Sequence, residues 1–140
     1  MDGSLDDDDF LEAFETVGIR AGGFGHEEHV RAAFLHLTRE RDFGLAAVRF
    51  RAALRRFASA HGAAGKYHET LTWAYLALIN ERARETRFAS SMEFVERHPE
   101  LLDQKTGILS RYYDVGAVAR SPRARELFLL PHPRGDGSGA

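Results

Sequence analysis

Apolar residues recur along this chain at helical spacing, and the stripes they form divide it into segments. Phe10, Leu11, Phe14 and Val17 predict a first short helix near Asp7 to Val17, closed by Gly18. Val30, Ala33, Phe34 and Leu37 form an i, i+3, i+4, i+7 stripe, which predicts a second helix from about Glu27 to Arg41. Phe43, Ala46, Ala47, Phe50, Leu54 and Phe57 share one face of a third, from about Phe43 to Ser59. The stretch "YHETLTWAYLALIN" is apolar on nearly every side. A helix of that kind is enclosed by neighbours, so Tyr67 to Glu85 is expected to be the buried central helix. A serine cap at Ser91, two residues before Glu93, opens a short helix Met92 to Arg97, which breaks before Pro99. "ELLDQKTGILSRYYD" continues the apolar periodicity, and "SPRARELFLL" opens with a serine cap and proline at the first helical position. No alternating segment suggests a strand. The expectation is an all-α, compact single-domain bundle of four to six helices over residues 10–130, with an acidic disordered lead-in at 1–9 and a disordered tail at 131–140.

Composition narrows the class. The 140 residues suffice for one domain with a sizeable core. The net charge of −2 gives no global attraction to nucleic acid or anionic lipid. No run reaches a membrane span and no early segment reads as a secretory signal, so a cytoplasmic protein with neither membrane nor nucleic-acid partner is expected. Self-association as a homo-oligomer stays open. Charge is uneven: nine acidic residues and one basic residue lie between Met1 and His29, then eight basic and two acidic between Val30 and Lys66. Mutual neutralisation of neighbouring helices accounts for that asymmetry; a basic docking face is the alternative.

With no cysteine, a metal site here must use His, Asp, Glu or Tyr. "GHEEHVRAAFLHL" places His26, His29 and His36 on one flank of the second helix, about 40°, 100° and 120° from the centre of the stripe. His36 lies two turns beyond His29, too far along to share an ion with His26. On the central helix His68 points inward near the N-terminus and Glu69 lies on an apolar face, where a carboxylate needs a partner. If the second and fourth helices run side by side, His26, His29, His68 and Glu69 converge at one end of the bundle as ligands for a divalent transition metal such as Zn, Fe, Mn or Cu. Glu69 would be a fourth ligand or a general base, and Lys66 or Tyr67 would orient an anionic substrate. The spacing "HEEH" is not the H-E-x-x-H of zinc proteases, and the paired Glu-x-x-His of di-iron bundles is absent.

Each of these residues also has a purely structural reading: a capping His26, boundary positions for His29 and His36, and a hydrogen-bonded core His68. His61, His98 and His132 read as solvated turn or tail residues. Tyr112 and Tyr113 could line a pocket but suit amphipathic packing. No nucleophile elbow or phosphate-binding glycine loop is present.

"FGHEEHVRAAFLHL", "KYHETLTWAYLAL", "FVERHPELLD" and "LSRYYD" together resemble a group of small helical bacterial proteins sharing an H-x-x-H … Y-H-E-T pattern, over roughly Phe24 to Leu130. The matching polar residues are His26, His29, Lys66, Tyr67, His68 and Glu69. The resemblance implies that the cluster is coherent and carries no reaction with it. The leading expectation is therefore a small metal-binding protein, a metal-dependent enzyme acting on a small molecule. One alternative is a metal-free catalyst or binding pocket using His68 and Glu69. Another is a helical adaptor that docks a partner through Arg49 to Arg56 of its third helix.

Overall fold

The structure, a computed structural model, describes residues 6–103 and 107–131. Among these residues there are seven α-helices and no strand: α1 Asp7–Glu15, α2 His26–Arg39, α3 Phe43–Ala60, α4 Glu69–Ala83, α5 Ser91–Arg97, α6 Val115–Arg120 and α7 Pro122–Glu126. Most begin where a short polar side chain can take an orphan backbone N–H. Asp6 accepts from Asp9, Asp42 from Leu45, Ser90 from Glu93, Asp114 from Ala117 and Ser121 from Ala124. Asp6 caps α1 and Asp7 to Asp9 form its first turn, as the predicted helix start near Asp7 requires, so the acidic lead-in ends before these residues. The tail from residue 132, His132 included, lies outside the described residues.

The expected core stripe of α2 is buried, but burial does not stop there. Every residue from Val30 to Leu37 is enclosed, because α2 packs against α1, α3, α4 and α5 together. Helix α2 therefore shares the centre of the bundle with α4, whose Ala74, Tyr75, Leu76, Leu78 and Ile79 are buried as expected. The two polar residues inside the enclosed stretch are both partnered. Arg31 donates from Nε to Ser91 Oγ at 2.8 Å, lies 3.4 Å from Asp7 Oδ1 and stacks 4.1 Å over the Phe10 ring. Ser91 in turn donates its hydroxyl (2.6 Å) and backbone N–H (2.9 Å) to Asp7. A buried cation is tolerable only with such a shell, and this one ties the start of α1 to the start of α5. His36 donates Nδ1–H to the Ala32 carbonyl at 2.8 Å.

Two departures from the sequence reading matter for the site. Helix α4 starts at Glu69, not Tyr67, because His68 is its cap. On either side of residues 104–106, where "ELLDQKTGILSRYYD" is expected to prolong helical periodicity, the described residues instead form 3₁₀ turns at Pro99–Leu101 and Ile108–Arg111. Proline at the start of the first turn removes a helical donor. At Gly107 a Cβ would collide with the carbonyls of Glu100 and Asp103, so the chain folds back tightly there. Leu101, Ile108 and Leu109 anchor these two turns in the core.

Candidate functional site: an unsatisfied polar niche

The segment Lys66–Thr70 does not build a ligand cluster. Its polar groups are spent on holding other parts of the chain. His68 is buried and uses both ring nitrogens: Nδ1 accepts the Leu71 N–H at 3.2 Å, and Nε2–H donates to the Val118 carbonyl at 2.8 Å. No lone pair is left for a metal. Glu69 accepts from Arg51 Nε at 2.9 Å and from the Tyr67 hydroxyl at 2.6 Å. Burial works to raise its pKa, but those two bonds and the Arg51 charge hold the carboxyl below its ordinary value, so it is a paired anion and not a tuned base. Tyr67 lies under the guanidinium groups of Arg55 (4.9 Å) and Arg51 (5.7 Å). Burial and the neighbouring Glu69 push its phenol up to about 12. Lys66 is exposed at the end of a 3₁₀ turn. The fully buried Thr70 hydroxyl lies 2.7 Å from the Ala124 carbonyl and 2.6 Å from that of Leu127, and accepts the Leu129 N–H at 3.0 Å.

The expected convergence of His26, His29, His68 and Glu69 is accordingly not formed. Its physical cause is the level at which the helices cross. The first turn of α2 lies against the middle of α4, where His26 meets Tyr75 with ring centroids 5.1 Å apart. His68 is seven residues earlier, about 10 Å away along the helix axis. Among the described residues no group of three or more histidine and acidic side chains comes together as a metal site.

What the structure does assemble is a different trio. His26 donates Nε2–H to the Leu101 carbonyl at 2.7 Å. A carbonyl only accepts, so this bond places the proton on Nε2 and leaves Nδ1 as a lone pair in the neutral ring. That Nδ1 is buried without a partner among the described residues, and so is the hydroxyl of Tyr75, a residue 8% exposed. His29, one turn along α2, has its ring 5.9 Å from that of His26. It lies between Phe50 (5.3 Å) and Phe24 (6.3 Å) and makes no hydrogen bond among the described residues.

Burial in this aromatic setting, with the neighbouring His26 adding to it, lowers the His29 pKa to about 4. Burial lowers that of His26 too, against the opposing pull of the Leu101 bond. Tyr75 is pushed up to about 12, by burial first and by Asp103 second. At neutral pH the niche therefore holds two neutral imidazoles and one neutral phenol. It can accept a proton or hydrogen bond at His26 Nδ1 and donate one from Tyr75.

The remaining candidates are engaged elsewhere. His36 Nε2 lies 3.5 Å from Glu15 in a surface cleft of about 410 Å3. His61 donates to the Ile19 carbonyl at 3.1 Å, and His98 lies 2.9 Å from Glu100. His61 is exposed at a helix end, in line with a solvated turn residue, while His98 is partly buried. Tyr113 is buried and donates to the Leu129 carbonyl at 2.9 Å, while Tyr112 is exposed. Along the arginine face of α3, Arg51 pairs with Glu69, Arg49 approaches Glu40 at 3.6 Å, Arg55 covers Tyr67 and Arg56 donates to the Glu15 carbonyl at 3.1 Å. All four arginines make contacts within the chain.

No family model, curated protein or solved structure matches the chain. No helix among the described residues is long and apolar enough to cross a membrane. Sequence reasoning missed Tyr75, which it assigned to the core face of α4. The available signal was chemical: a tyrosine on a buried face needs a partner for its hydroxyl, and the polar residues nearest on that face, His68 and Thr72, lie on earlier turns.

Proposed function

We propose that the protein holds a small ligand in the niche formed by His26, His29 and Tyr75, and that this niche, not the Lys66–Glu69 segment, is its working site. The observation that carries the reading is that two buried polar atoms, His26 Nδ1 and the Tyr75 hydroxyl, lack a partner among the described residues and belong to rings in edge-to-face contact. Leaving a buried polar group unsatisfied costs about 1–3 kcal/mol. Elsewhere this chain satisfies its buried polar side chains with care, as Arg31, His68 and Thr70 attest. An occupant that meets both niche atoms recovers that energy, and a neutral imidazole beside a protonated phenol supplies a base and an acid for it. A small-molecule substrate and a cytoplasmic setting belong to this proposal.

The test is a screen of small alcohols, amides, carboxylic acids and imidazole against the full chain, read by NMR at the ring protons of His26 and His29. Binding in the niche moves those two histidines and leaves His68 in place, and Tyr75→Phe weakens it. If no compound moves either ring, the proposal falls.

A further inference from the structure

The niche reading leaves open what kind of occupant it takes, and on that reading the geometry adds a constraint. We infer that His26 Nδ1, His29 and the Tyr75 oxygen form a three-ligand site for a divalent first-row transition metal, with a coordination position left for water or substrate.

Three features of the niche argue for an ion over a lone water. The first is the orientation of His26. A ligating histidine characteristically gives its other N–H to a backbone carbonyl or carboxylate, which fixes the tautomer and aims the free lone pair. The Leu101 carbonyl does this to His26. His68 has the same kind of bond to Val118, yet its other nitrogen is consumed by the helix cap. The second is the spacing of the imidazoles. With metal–nitrogen bonds of about 2.0–2.1 Å, two rings on one tetrahedral ion have centroids about 5–6 Å apart. The His26 and His29 centroids are 5.9 Å apart. The third is the pair of unmet atoms: among the described residues His26 Nδ1 and the Tyr75 hydroxyl are both buried without a partner, and a single ion can take a lone pair from each.

The donor set then narrows the metal. Two nitrogens and one phenol oxygen, with no carboxylate in the trio, suit zinc, copper, iron or cobalt over magnesium and calcium. Three protein ligands are the complement of a catalytic site that keeps a position open, not of a closed structural one. On ligation Tyr75 gives up its hydroxyl proton to solvent and binds as phenolate, so uptake of the ion releases one proton.

The experiment is a titration of chelator-treated full chain with Co2+, followed by its visible ligand-field absorption, with Zn2+ as competitor. One equivalent binds at micromolar concentration, Zn2+ displaces it, and proton release accompanies uptake. Tyr75→Phe removes only an oxygen that has no partner, so the chain stays folded, and it weakens Co2+ binding by about tenfold or more. Glu69→Gln leaves binding unchanged. Absence of saturable Co2+ binding, or binding lost in Glu69→Gln but kept in Tyr75→Phe, overturns the metal site. If Co2+ fails while imidazole still shifts the His26 and His29 ring protons, the ion is wrong and the niche stands. If neither moves them, both fall.

Discussion

His26 and His68 are built alike and do opposite things. Each sits at the start of a helix in the centre of the bundle, and each donates Nε2–H to a backbone carbonyl far along the chain, Leu101 for one and Val118 for the other. The difference lies in the second nitrogen. His68 is the residue before α4, so its Nδ1 reaches forward to the Leu71 N–H and caps the helix. His26 is the first residue inside α2, whose cap position is Gly25, and the Gly25 N–H is taken by Glu28 at 2.7 Å. With that box closed by a glutamate, the imidazole of His26 is not needed at the helix end and turns toward Tyr75. A shift of one position relative to the helix start separates a structural histidine from one with a lone pair to offer.

That comparison can be broken at several points, beginning with the largest effect. His29 has a folded-state pKa of about 4 against an ordinary 6.5. Between those values the unfolded chain takes up a proton that the folded chain refuses, so stability falls as pH drops through that window and levels off below it. The loss should be about 3 kcal/mol between about pH 7 and about pH 4, measured by urea unfolding, and His29→Gln should flatten the profile.

Next is His68→Ala, which removes a cap and strands the Val118 carbonyl. It should cost about 2 kcal/mol in chemical denaturation. His68→Asn, which can cap but cannot reach Val118, should recover about half of that. If both substitutions are silent, the structural reading of His68 is wrong. Glu69→Gln weakens a partly solvated ion pair with Arg51 and should cost less than about 1 kcal/mol, with no change at the His26 and His29 ring protons. The smallest change is expected at the niche itself. Tyr75→Phe deletes a hydroxyl without a partner and should leave the unliganded melting temperature level or slightly raised. A drop of several degrees would mean that the hydroxyl is already satisfied and would remove the ground for a ligand there.

How far these roles were legible in the sequence depended on distance along the chain. The helices and the core stripes rest on neighbours within about four residues, and the Ser121 cap could be placed from pattern alone, whereas the cap of α5 is Ser90 and not the expected Ser91. The histidine pair in "HEEH" was visible for the same reason, since i and i+3 share a helix flank. Which residue of α4 faces that pair was not, because it depends on where two helices cross. Periodicity fixes the face of a helix but not its height against another, and a slip of two turns exchanges His68 for Tyr75. The Leu101 carbonyl was less visible still, for it comes from an irregular turn and from a backbone atom that every residue possesses. The arginine face of α3 looked like a docking surface because Tyr67, Glu69 and the Glu15 carbonyl reach it only after folding.

The bonds that shape the core polar groups are long in sequence: 84 residues from Asp7 to Ser91, 75 from His26 to Leu101 and 59 from Thr70 to Leu129. Helical proteins usually fold fast because their contacts are local; these contacts are not, and closing such loops delays them. The niche therefore has no counterpart in a partly assembled chain, where α2 can be helical while Nε2 of His26 still faces water. A ligand that enters it would recognise only the finished molecule and stabilise the native state by an amount that grows with ligand concentration above its Kd.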